Sequence, residues 1–97
     1  MNLTSHKINQ IADYFQNQPV LKAYLFGSYV RGDATLNSDI DLLVELDYSE
    51  KIGLNFIQMQ LDLEDILHSK VDLVSERGVS KYLLPVINLE KKLIYEK

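Results

Sequence analysis

Two aspartates one residue apart, Asp39 and Asp41, head the most strand-like run in the chain, Asp39-Ile40-Asp41-Leu42-Leu43-Val44-Glu45-Leu46. Residues at i and i+2 of a strand share a face, with Cα atoms about 6.5 Å apart. Both carboxylates can therefore close on one cation, or on two cations about 3.5–4 Å apart. Oxygen ligands with no His or Cys beside them suit Mg²⁺ or Mn²⁺. A bare Asp-x-Asp is common at strand starts and carries little by itself. The alternation gives it weight here. Ile40, Leu42, Val44 and Leu46 make one face continuously apolar, and that face must be buried. The carboxylates are thereby forced together onto the other face, where like charges oppose each other unless a cation or solvent separates them.

Gly27-Ser28 supplies a second feature. It ends the apolar run Leu21 to Phe26 and precedes what reads as a short helix. Such a turn presents backbone N–H groups and a hydroxyl to an anion, and glycine permits close approach. Arg31 falls three residues on, on the same side of a helical turn, where its guanidinium can grip phosphate oxygens. Alone, a Gly-Ser turn is ordinary. Asp72 stands in Val71-Asp72-Leu73-Val74. If that strand pairs beside Asp39–Leu46, Asp72 faces the same site as a third carboxylate, able to complete a metal site and take the proton of an attacking hydroxyl. Otherwise it is a surface residue of a short strand. Ser38, directly before the first aspartate, is expected to orient the loop or touch a metal-bound phosphate.

The elements that position these residues follow from periodicity. Ile8, Ile11, Ala12 and Phe15 recur at helical spacing over Ser5 to Gln16, capped by Thr4 or Ser5. Leu21 to Phe26 and Asp39 to Leu46 read as strands, and Leu54 to Leu67 as a helix packed on the sheet. Val71 to Val74 reads as a third strand. Ser80 to Glu90 predicts a helix, with Pro85 near its start or marking a break. Leu93-Ile94-Tyr95 is a last helical turn or an edge strand. The sum is a single α/β (α+β) domain over residues 1–97: a small mixed sheet with helices mainly on one face. Leu83, Leu84, Ile87 and Ile94 exceed what so small a core can cover and are candidates for a partner interface.

Composition narrows the class. The 97 residues are 46% hydrophobic and 25% charged, an ordinary globular balance. With no cysteine, disulfides and thiolate metal sites are excluded. No apolar run approaches the roughly 20 residues that span a bilayer, and residues 1–7 lack a signal pattern, so a cytoplasmic location is the default expectation. The net charge of −4 disfavours direct binding to nucleic acid. His6 and His68 stand far apart without neighbouring ligands. Glu45 shares the face of the aspartate pair but lies about 13 Å from Asp41 along the strand, too far to be a ligand. Tyr29, inside the Gly-Ser turn, is expected to pack beneath it.

Gly27-Ser28, ten intervening residues, then Asp39-x-Asp41 and a later strand aspartate resemble the signature of the DNA polymerase β-like nucleotidyltransferase superfamily. More narrowly, Gly-Ser-Tyr-Val-Arg-Gly-Asp…Asn-Ser-Asp-Ile-Asp-Leu-Leu-Val looks like the minimal nucleotidyltransferase (MNT) family, and the resemblance covers essentially the whole chain. It implies a phosphate-binding serine at Ser28, a phosphate arginine at Arg31, metal ligands at Asp39 and Asp41, and a third carboxylate at Asp72. Val30 stands where the family often has alanine. The resemblance further implies Mg²⁺ or Mn²⁺ with ATP as donor, and transfer of AMP to an acceptor hydroxyl with release of pyrophosphate. Larger relatives carry a helical acceptor-binding domain for which these residues leave no room. The implied partner is a HEPN-domain RNase toxin, the MNT protein being its antitoxin and the acceptor a toxin tyrosine. A toxin-blocking antitoxin without chemistry and a transferase acting on a small molecule are the competing readings.

Overall fold

The structure, a computed structural model, describes residues 2–97. The elements run α1 (Ser5–Phe15), β1 (Val20–Phe26), α2 (Ser28–Arg31), β2 (Ile40–Leu46), α3 (Asn55–Leu67), β3 (Val71–Ser75), α4 (Leu84–Glu90) and β4 (Lys92–Glu96). The sheet order is β3-β2-β1-β4. β1 pairs antiparallel with both β2 and β4, whereas β2 and β3 are parallel and joined by α3. The expected mixed sheet is thus formed, and its parallel pair requires the crossover helix.

Each element has a local cause. Thr4 caps α1, its hydroxyl accepting from the Lys7 N–H at 3.2 Å. Ile11 and Phe15, one turn apart, are fully buried, as are Met59 and Leu63 of α3, with Leu67 next in the same stripe. These stripes cover the sheet face made by Ala23, Leu25, Ile40, Leu42, Val44, Val71 and Leu73. The other face is not bare. Leu43 is buried there, with Tyr24 and Val74 opposite it on the flanking strands.

Two details depart from the sequence reading, and one of its alternatives is decided. The last helix begins at Leu84, not Ser80, because Pro85 in a longer helix would clash with the carbonyl of Lys81. Ser80–Leu83 instead form a turn in which the Leu83 and Leu84 N–H groups donate to the Ser80 carbonyl, both at 3.0 Å, and Pro85 sits in the first helical turn. The final apolar segment is the edge strand, pairing Tyr95 with Ala23. Ile87 is buried and Leu84 and Ile94 partly so, leaving Leu83, with Val86 and Leu89, as the exposed apolar edge of α4. Among the described residues no helix is long and apolar enough to cross a membrane.

Candidate active site

The registers bring the carboxylates together. Asp41 pairs with Phe26 on one side and with Asp72 on the other. Since Leu42 and Leu73 turn into the core, Asp41 and Asp72 share the opposite face as direct neighbours on adjacent strands. Asp72 is therefore on the site face and is also exposed, so its two sequence readings are compatible. Asp39 lies one residue before β2 and is exposed. The last helix overlies this face: Leu83, Val86, Ile87 and Glu90 join Asp41, Asp72, Phe26, Gly27 and Arg31 around a cleft of about 320 Å³.

Gly27 sets the approach of the turn to Asp41. Its backbone sits at φ +80°, ψ −151°, a region open essentially to glycine alone. A Cβ there would collide with Asp41 Oδ2 and come within 3.1 Å of Cγ. From Gly27 the chain makes the single turn of α2, ended by Gly32 in the left-handed region at φ +87°. Arg31, at the end of that turn, faces the cleft. Its Nη1 lies 3.3 Å from both Glu90 oxygens and its Nε lies 3.5 Å from Asp33 Oδ2. The Gly27 N–H donates to Glu90 Oε1 at 3.0 Å.

Electrostatics mark Asp41. Burial pushes its carboxyl up to about 6, and the charges of Asp72 and then Asp39 push the same way, with Glu90 adding and Arg31 opposing. A carboxylate whose pKa is higher in the folded than in the unfolded chain opposes folding once ionised. The penalty is absent below about pH 4, grows between the ordinary 3.8 and about 6, and is complete above. Because Asp41 is half-exposed, solvent screens most of it, leaving on the order of 1 kcal/mol. Asp41→Asn should therefore raise Tm at pH 7.5 in EDTA by roughly 4–8 °C. It should also flatten the fall in Tm between pH 4 and 6, as calorimetry across that range would register. A fall in Tm over this range no smaller in Asp41→Asn than in the wild type would contradict the assignment.

Ser38 orients its loop: its hydroxyl accepts from the Thr35 N–H at 2.8 Å. Ser28 opens α2 directly after Gly27 but is not among the residues lining the cleft, and its hydroxyl makes no hydrogen bond among the described residues. Tyr29 packs against the core and lines a different cavity, of about 290 Å³, on the α1 side. Glu45 accepts from the Tyr24 hydroxyl at 2.9 Å, a structural contact. Among the described residues no three His, Cys, Asp or Glu side chains are gathered as a preformed metal cage. The donor set nevertheless fits a hard divalent cation. It is all carboxylate, with Asp41 and Asp72 paired on adjacent strands and Asp39 one residue before β2. Glu90 is the site residue that sequence reasoning missed. It reaches the turn across 63 positions, and no local pattern around it signals that contact.

Comparison with known proteins gives concordant results. A family model described as polymerase beta, nucleotidyltransferase matches residues 9–97. Protein adenylyltransferase MntA of Thermococcus cleftensis is 37% identical over 86 residues, covering 84% of this chain and 82% of that protein. A chain in a crystal structure of a toxin–antitoxin with AMP-PNP has a TM-score of 0.77 and 28% identity, covering 98% of this chain and 75% of that one. A chain in the complex of a tri-AMPylated Shewanella oneidensis HEPN toxin with an MNT antitoxin has a TM-score of 0.75 and 23% identity, covering 98% and 74%, a likeness of fold.

Proposed function

We propose, on the premise that this chain belongs to the polymerase beta nucleotidyltransferase family, that it is an antitoxin transferring AMP from ATP to a tyrosine hydroxyl of a cognate HEPN-domain RNase toxin. The observation that carries this is the pairing of Asp41 with Asp72 on one sheet face, bordered by the Gly27–Arg31 turn in one cleft. The turn offers donors to phosphate; the carboxylates sit where a cation and an acceptor proton are handled. The relatives named above, an adenylyltransferase and toxin–antitoxin complexes, support the same reading.

In this reading residues 1–97 act as one minimal nucleotidyltransferase domain. Gly27, Ser28 and Arg31 hold the phosphates, and Ser38 shapes the loop before Asp39. Asp39, Asp41 and Asp72 hold Mg²⁺ or Mn²⁺, which when bound neutralises triphosphate charge and lowers the pKa of the acceptor hydroxyl. The acceptor oxygen bonds to the α-phosphorus as the bond to the α–β bridging oxygen breaks. Pyrophosphate leaves, and the hydroxyl proton passes to Asp72. The cleft of about 320 Å³ is at the lower end of the roughly 300–1,000 Å³ usual for ligand pockets. It suits a donor nucleotide with an acceptor delivered from outside better than a self-contained small-molecule site.

Incubation with the cognate toxin, ATP and Mg²⁺ should add AMP units to the toxin by intact-mass spectrometry, on tyrosine by fragmentation. A toxin that is silenced without any gain in mass would favour the stoichiometric reading instead. The exposed Leu83, Val86 and Leu89 beside the cleft are compatible with a docked partner in either case.

A further inference from the structure

The donors assigned to phosphate are already engaged. Glu90 Oε1 accepts from the Gly27 N–H at 3.0 Å, and the Arg31 guanidinium lies 3.3 Å from both oxygens of the same carboxylate. Carboxylate and phosphate oxygens are recognised by the same groups, a guanidinium fork and a backbone N–H. The contact is not a loose surface pair. The Glu90 side chain is only 20% exposed, against 52% for Arg31. An exposed ion pair alone is worth little, but the buried Gly27 amide anchors this one. Glu90 is also the last residue of α4, whose Leu83, Val86 and Ile87 wall the same cleft.

We infer that Glu90 is an internal competitor for the nucleotide: its carboxylate holds the Gly27 and Arg31 donors and must be displaced before a triphosphate can use them. The inference rests on the reading of that turn as the phosphate site. With Glu90 in place, an incoming triphosphate meets a fourth carboxylate beside Asp39, Asp41 and Asp72 and lacks two of its donors. With Glu90 displaced, the N–H and the guanidinium are released together, and the contact tying the end of α4 to the turn is broken. Nucleotide affinity in the resting protein is thus set below what the donors alone would give.

Calorimetric titration of the full chain with ATP and Mg²⁺ tests this, with adenosine as a ligand lacking phosphates. Glu90→Gln and Glu90→Ala should each bind ATP about 10-fold more tightly than wild type, as expected when a hydrogen-bonded charged competitor is removed. Adenosine affinity should not move. Asp33→Asn removes the same charge from beside Arg31 but leaves the Gly27 amide engaged, so its effect on ATP should stay below about 3-fold. ATP binding that is not tightened in either Glu90 variant overturns the inference while leaving the proposed function standing. So does an equal gain for adenosine, or a gain in Asp33→Asn matching that of Glu90→Gln. No ATP binding by any of the proteins overturns both.

Discussion

Asp41→Asn and Asp39→Asn should each lower AMP transfer by on the order of 10³-fold, while the complex with the toxin still forms on a sizing column. Asparagine keeps the shape of aspartate but offers a neutral oxygen, a poor ligand for a hard dication. Asp41 sits between Phe26 and Asp72 in the sheet, so its side chain is fixed in the cleft beside the second carboxylate. Asp72→Asn should fall by about 10²–10⁴-fold if it takes the acceptor proton, with ATP affinity less affected than the rate. Toxin-challenged cells would decide what the rates mean. If antitoxin action is transfer, cells carrying either of the first two variants die. If those cells survive, the complex itself protects them, and the carboxylates are not the means of neutralisation.

The same substitution is expected to stabilise the protein and to disable it. Asp41 is held half-buried among Asp72, Asp39 and Glu90, at a cost that appears only when it ionises. A carboxylate kept in such a place against its own solvation is the usual mark of a group positioned for chemistry and not for stability. A cation binding there would offset the repulsion, so Mg²⁺ should raise the Tm of the wild type more than that of Asp41→Asn.

Which parts of this site could be read in the sequence follows from the range of the interactions. The strand alternation from Ile40 to Leu46 is local, so the placing of Asp41 opposite the core was legible, as was the Gly27–Arg31 turn, whereas Asp39 falls one residue before β2. That Asp72 joins them depends on β3 lying parallel to β2 in a register pairing Asp41 with Asp72. That register is fixed by the α3 crossover and the burial of Val71 and Leu73, so the sequence could state it only as a condition. The last helix starts at Leu84 and not at Ser80. Pro85 stands near its start, one of the two places the sequence allows it, and the apolar pattern over Ser80–Glu90 does not by itself say that the preceding turn is excluded from the helix. Glu90 was invisible because its meaning lies in a hydrogen bond to an amide in another element.

Gly27→Ala should lower Tm by about 5–15 °C and remove most transfer activity. Its φ of +80° with ψ of −151° costs a non-glycine residue roughly 1–3 kcal/mol, and each kcal/mol is worth roughly 4–8 °C in a domain of this size. The new methyl also meets Asp41 Oδ2 and Cγ, so the carboxylate must leave its place even in molecules that stay folded. Gly32→Ala provides the contrast. It too has a positive φ, +87°, but nothing lies within 4 Å of its would-be Cβ. Its cost should be the roughly 1–2 kcal/mol of the left-handed conformation alone, with transfer largely kept. Combining Gly27→Ala with Asp41→Ala separates the two causes. Relief of about 1 kcal/mol in the double variant, measured by denaturant unfolding, would assign that part to the collision. Strict additivity would leave backbone strain as the whole effect, and the close approach of Asp41 to the turn would then have no energetic consequence.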